Sequence, residues 1–182
     1  MPNRITKGTL LAGKIVGDIS ASAGSIGTTE IANNAVTSAK LDVSTIQYAE
    51  VSIAAAAVAT LRATPVQLVA TPGAGKVLEF VSATLFLDYT APGFTESADN
   101  LAVKYENGSG AAASETIECT GFIDQTADTA TIGVAKNDVI VAKTGCENKA
   151  LVLHNTGDGE FGGSGGSALR VKVAYRTHTT GW

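Results

Sequence analysis

The chain is poor in charge and in aromatic rings. Only 16% of its 182 residues are Asp, Glu, Lys or Arg, the net charge is −4, and no basic run exceeds two residues. Nucleic-acid binding needs clustered Lys and Arg to neutralise phosphates, so that class of partner is not expected. No stretch approaches the ~18 consecutive apolar residues of a membrane span. The opening Met1-Pro2-Asn3-Arg4 has no apolar h-region, so synthesis and assembly in a cytoplasm are expected. Cys119 and Cys146 are the only cysteines, too few for a structural zinc site, and neither His stands at a ligand spacing from them. Two readings of the pair remain open: reduced thiols buried in strands, or a disulfide formed after release from the cell.

What is present is Gly, Ala, Ser, Thr and Val, a composition suited to strands joined by tight turns. The first 46 residues follow a different rule from the rest. Apolar side chains recur every fifth position, at Ile5, Leu10 and Ile15, and after a one-residue slip at Ile26, Ile31, Val36, Leu41 and Ile46. Five matches neither the ~3.6-residue period of a helix nor the alternation of a strand. One anchor in five cannot offset the entropy of ordering a backbone in isolation. Residues 1–46 are therefore expected to be an extended anchoring arm, ordered when laid on a partner or wound with other copies, with the eight apolar positions as its contacts.

From residue 47 onward the sequence reads as a β-sandwich. Strands are expected at Glu50–Ile53, Pro65–Ala70, Lys76–Tyr89, Asn100–Glu106, Glu115–Ile123, Ala130–Val134, Asp138–Ala142, Lys149–His154 and Ser167–Thr177. The Ala54–Ala57 run is ambiguous and allows a short helix. Thr71–Gly75, Pro92-Gly93 and Asn107-Gly108 are turn signals. So many short strands point to an all-β, jelly-roll-like sandwich over residues 47–182 carrying an extended Gly/Ser/Thr-rich arm.

Candidate chemistry is sparse. Pro72-Gly73-Ala74-Gly75-Lys76 suggests a phosphate loop, but Ala70 occupies the first glycine position and Val77 the Ser/Thr position, which leaves a turn. His154 in an apolar strand and His178 in a polar tail read as structural residues, and no nucleophile elbow is present. Asp88, Asp99, Asp124, Asp128, Asp138 and Asp158 sit mostly at strand ends, where Asx turns account for them. Asp158-Gly159-Glu160 lacks the alternating ligands of a calcium loop. Phe161–Ser167 is the most flexible-looking stretch, a long hairpin loop or a contact loop. No catalytic activity, cofactor or metal is expected.

The segment from Ile26 to Leu41 resembles the repeat of phage tail-fibre and head-fibre shafts through Ile31, Ala32, Ala35, Val36, Thr37, Lys40 and Leu41. One copy is present, which favours a short anchor over a long shaft. Ala63–Val66, Pro72–Lys76, Leu85–Tyr89, Leu151–Asn155 and Val171–Val173 are similar to an uncharacterised group of tailed-phage proteins. The resemblance implies a virion structural protein, either a capsid decoration (cement) or short head-fibre protein, or a tail-fibre, receptor-binding component. It implies partners in the major capsid protein or another virion protein, and in the host surface for the tail reading. With the Ala-rich strands it also implies a homotrimer.

Overall fold

The computed structural model describes residues 45–137, 140–163 and 165–181. Seven of the eight positions expected to be arm contacts, Ile5, Leu10, Ile15, Ile26, Ile31, Val36 and Leu41, lie outside the described residues; Ile46 is described and half-buried. The elements are β1 (Gln47–Ile53), α1 (Ala55–Val58), β2 (Val66–Val69), β3 (Lys76–Asp88) and β4 (Leu101–Tyr105). They continue with β5 (Thr129–Val134), α2 (Lys143–Cys146), β6 (Leu151–Asn155) and β7 (Ala168–Thr179).

Successive strands alternate between two sheets, one ordered β1-β7-β3-β5 and the other β2-β6-β4. Every pairing is antiparallel. This is the jelly-roll wrap with one strand reduced to isolated bridges: Ala112 and Ile117 run antiparallel to Lys104 and Leu101 along the outer side of β4. The expected strand over Glu115–Ile123 is accordingly absent. Phe122 and Ile123 are both buried, but the chain turns there, and both N–H groups donate to the Cys119 carbonyl. The expected strand over Asp138–Ala142 is also missing from its described part, residues 140–142, which run irregularly into α2. Cys119 and Cys146 are free and buried, but outside strands: one precedes the turn and the other ends α2.

The core forms where the inner faces meet. Ile53, Leu78, Phe80, Leu85, Leu87, Leu169, Val171 and Val173 come from the larger sheet, and Leu68, Leu101, Val103, Leu151 and Leu153 from the smaller. Leu and Val interlock at close spacing, so a chain with few aromatics still fills the gap. The Ala run does form α1, which ends after one turn as Val58 and then Leu61 enter the core.

Loops are held by side chains that accept from exposed N–H groups. Gly73 and Gly75 have φ of +97° and +71°, and their N–H groups donate to Asn148 Oδ1 (2.9 Å) and Glu147 Oε1 (2.7 Å). The donors a phosphate would need are thus engaged by the chain's own oxygens, and the loop is a structural turn. Asp99, Asp124 and Asp128 likewise accept from Gly159, Gly121 and Tyr89 N–H groups. The glycine-rich segment after Phe161 is tied down: Gly162 and Thr95 exchange both main-chain bonds, and Phe161 packs against Phe94.

Gly110 closes the turn after β4, and a Cβ there would overlap the Tyr105 carbonyl oxygen. Gly110→Ala must therefore shift backbone and break the Tyr105 N–H to Ala111 bond of 3.0 Å. We expect a loss near the upper end of overpacking costs, about 3 kcal/mol. That corresponds to a melting temperature roughly 6–12 °C lower, measurable by calorimetry.

Candidate assembly surface

The outer face of the larger sheet is built by the residues that alternate with the core. Its rows follow the register: Tyr48–Ala174–Ser82–Val134, then Glu50–Lys172–Thr84–Ile132, then Ser52–Arg170–Phe86–Ala130. Tyr48 is 76% exposed, Ile132 67% and Val134 55%, so large apolar groups stand at both edges, with only Ala174 and Ser82 between Tyr48 and Val134. The edges are three strand spacings apart, about 14 Å.

The charges on this face are paired. Lys172 meets Glu50 at 3.4 Å, and Arg170 meets Asp88 at 3.3 Å while its guanidinium carbon sits 4.7 Å from the Phe86 ring centroid. Arg176 and His178 both hold Glu79, at 3.0 and 2.7 Å. Burial works to raise the Glu79 carboxyl, but hydrogen bonds from His178 and Arg176 outweigh it and hold the group below its ordinary value. Exposed pairs of this kind add little stability. Their effect is to leave this face nearly neutral.

Two signals for this face were hidden in the sequence pattern. In β5 the apolar phase, Ala130-Ile132-Val134, points outward, and the Thr129-Thr131-Gly133 phase points inward. Gly133 sets this phase, because a Cβ there would lie 2.6 Å from Ile117 Cδ1. Tyr48 shares the polar phase of β1 with Glu50 and Ser52. An aromatic in a polar phase is a legible sign of a contact surface. Ile46, the last position of the expected arm, directly precedes β1, which is an edge strand of this sheet.

On the smaller sheet, His154 forms the floor of a cleft of about 420 Å3 lined also by Arg62, Pro65, Asn107, Gly108 and Ser109. The ring is 8% exposed, and its Nδ1 has no hydrogen-bond partner among the described residues. Burial pushes its pKa down, helped by the Lys104 and Arg62 charges; the Arg62 main chain and Glu160 act the other way. The native state therefore resists the proton that the unfolded chain accepts below about pH 6.5. Stability should be complete above that value and fall as pH drops towards the folded pKa. A His154→Gln variant should show a flatter melting temperature between about pH 7 and pH 5 than the parent protein. Equal slopes would remove His154 from the account.

Among the described residues no group of three or more His, Cys, Asp or Glu side chains could hold a metal ion. Burial pushes the Cys119 thiol up to about 12, too high for a reactive thiolate at neutral pH. No helix among the described residues is long and apolar enough to cross a membrane.

No protein-family model matches the chain, and no curated protein does so. Among solved structures it is similar to a chain of a "Cyanophage Pam1 capsid asymmetric unit", at 14% identity and a TM-score of 0.38, over 79% of this chain and 98% of that one.

Proposed function

We propose that this chain is a non-enzymatic structural protein of a tailed-phage virion, attached by residues 1–46 and displaying the β-sandwich. The observation that carries the reading is the fusion of two unlike parts. A five-residue apolar period with one fibre-like repeat runs without a linker into an edge strand of a sandwich. The favoured location is the capsid exterior, as a decoration protein or short head fibre, since one repeat suits a short anchor. The second reading, a tail-fibre or receptor-binding component, draws on the same fibre-like repeat.

Copy number in purified virions separates the two: hundreds for a decoration protein, tens at most for a tail fibre. A tail fibre should also bind host cells and compete with infection. Release of sugar from host surface glycan by the purified protein would overturn the non-enzymatic reading. The threefold association that fibre-like arms suggest is checked by mass measurement, where a stable monomer or dimer at micromolar concentration counts against it.

A further inference from the structure

β5 is the outer strand of its sheet, paired with β3 on one side only. Its other side is partly taken: the Val134 carbonyl accepts from Glu115 N–H (3.0 Å), and Lys136 N–H donates to Ala113 (3.0 Å). By strand alternation the N–H and C=O groups of Ala130 and Ile132 point to that same side, where they have no main-chain partner among the described residues. The remaining edges are guarded. Glu50 stands in the middle of β1 in an ion pair, β2 is four residues long with a register shift, and residues 112–117 run along β4. Thr129–Val134 has no charge and no proline, and carries Ile132 and Val134 exposed. An unguarded edge of this composition is a template for another strand.

We propose that this edge pairs with β5 of a second copy of the chain, antiparallel about a twofold axis at Thr131. Glu115 already covers Val134, which limits the contact to Thr129–Gly133 and centres it on Thr131. In that register Ala130 and Ile132 of one copy exchange main-chain bonds with Ile132 and Ala130 of the other, satisfying all four free pairs of groups. Each exposed Ile132 then lies over the small Ala130 and next to Phe86, its cross-strand neighbour. No like charges are brought opposite each other. Two other occupants fit less well. The arm's five-residue period cannot match the two-residue repeat of a strand, and β1 would bring Glu50 to an edge with no counter-charge. A threefold axis cannot join identical edges antiparallel, so this contact is separate from the association proposed above and would link one assembly to the next.

Thr131 is its own partner in this arrangement, at a non-hydrogen-bonded position where Cα atoms approach to about 4.5 Å, within disulfide range. Full-length Thr131→Cys protein under mild oxidant should yield at least about tenfold more covalent dimer than a Thr71→Cys control at an exposed loop site. The native thiols are buried and should contribute little background. Ile132→Lys, at an outward position already 67% exposed, replaces the apolar contact over Ala130 with a charge in each copy, and should abolish concentration-dependent association in sedimentation while leaving the melting temperature nearly unchanged. Equal cross-linking by the two cysteine variants, or undiminished association of Ile132→Lys, would overturn the proposal.

Discussion

Deleting residues 1–46 is expected to leave a folded β-sandwich with a melting temperature close to that of the full chain, and to abolish incorporation into particles. The physical ground is that the described sandwich carries its own core. The described core draws its members from Ala49 to Tyr175, and the two sheets close around it. The deletion removes Ile46, which is only half-buried, and leaves β1 whole from Gln47. Large apolar side chains make up only about one in four of residues 1–46, among Gly, Ser, Thr, Ala and Asn, and are not expected to build a core of their own. Calorimetry and particle co-sedimentation on the same truncated protein test the two halves. Truncated protein that decorates particles as well as the full chain would show that the arm is not the anchor.

Much of the fold was legible because the strands that build the core obey simple alternation. Leu101, Val103 and Tyr105 share one face of β4, and Leu169, Val171 and Val173 one face of β7, as their spacing required. The long run from Lys76 is a single strand that ends at Asp88, shortly before Pro92-Gly93, and Thr71–Gly75 is a turn with Gly73 and Gly75 at positive φ. Alternation failed where side-chain fit overrode it. Cys119, Phe122 and Ile123 are apolar because they are buried, yet they turn rather than extend. Ile140 is apolar and 97% exposed, which no hydropathy pattern distinguishes from a core residue.

The candidate surface was less legible than the fold. Alternation in Thr129–Val134 reveals two faces but not which one is buried, and hydropathy alone selects the wrong one. The decisive fact, that Ile117 presses on Gly133, joins residues brought together only by the wrap of the sandwich. Charge neutrality of the outer sheet was equally hidden. Glu50 with Lys172 and Glu79 with Arg176 are each paired across strands about a hundred residues or more apart in sequence. By contrast, the five-residue period expected of residues 1–46 is a local property of the sequence, visible without the fold.

That period makes the sharpest expectation. Burying one Ile, Leu or Val side chain is worth roughly 1.5–3 kcal/mol, so each anchor on the five-residue comb should matter and none should suffice alone. Ile31→Asp or Val36→Asp loses this burial and also places an unpaired carboxylate at an apolar contact, which costs several kcal/mol more. Together these weaken docking by roughly a thousandfold or more, enough to abolish it in a particle-binding assay. Thr37→Asp and Ser38→Asp add the same charge between anchors, where no apolar contact is lost, and should reduce binding only slightly. The four variants carry the same new side chain within eight residues of one another, so differences in net charge and expression cancel. Equal losses at anchor and spacer positions would mean that the period has no structural role, and that the arm binds through its composition rather than through its comb of apolar contacts.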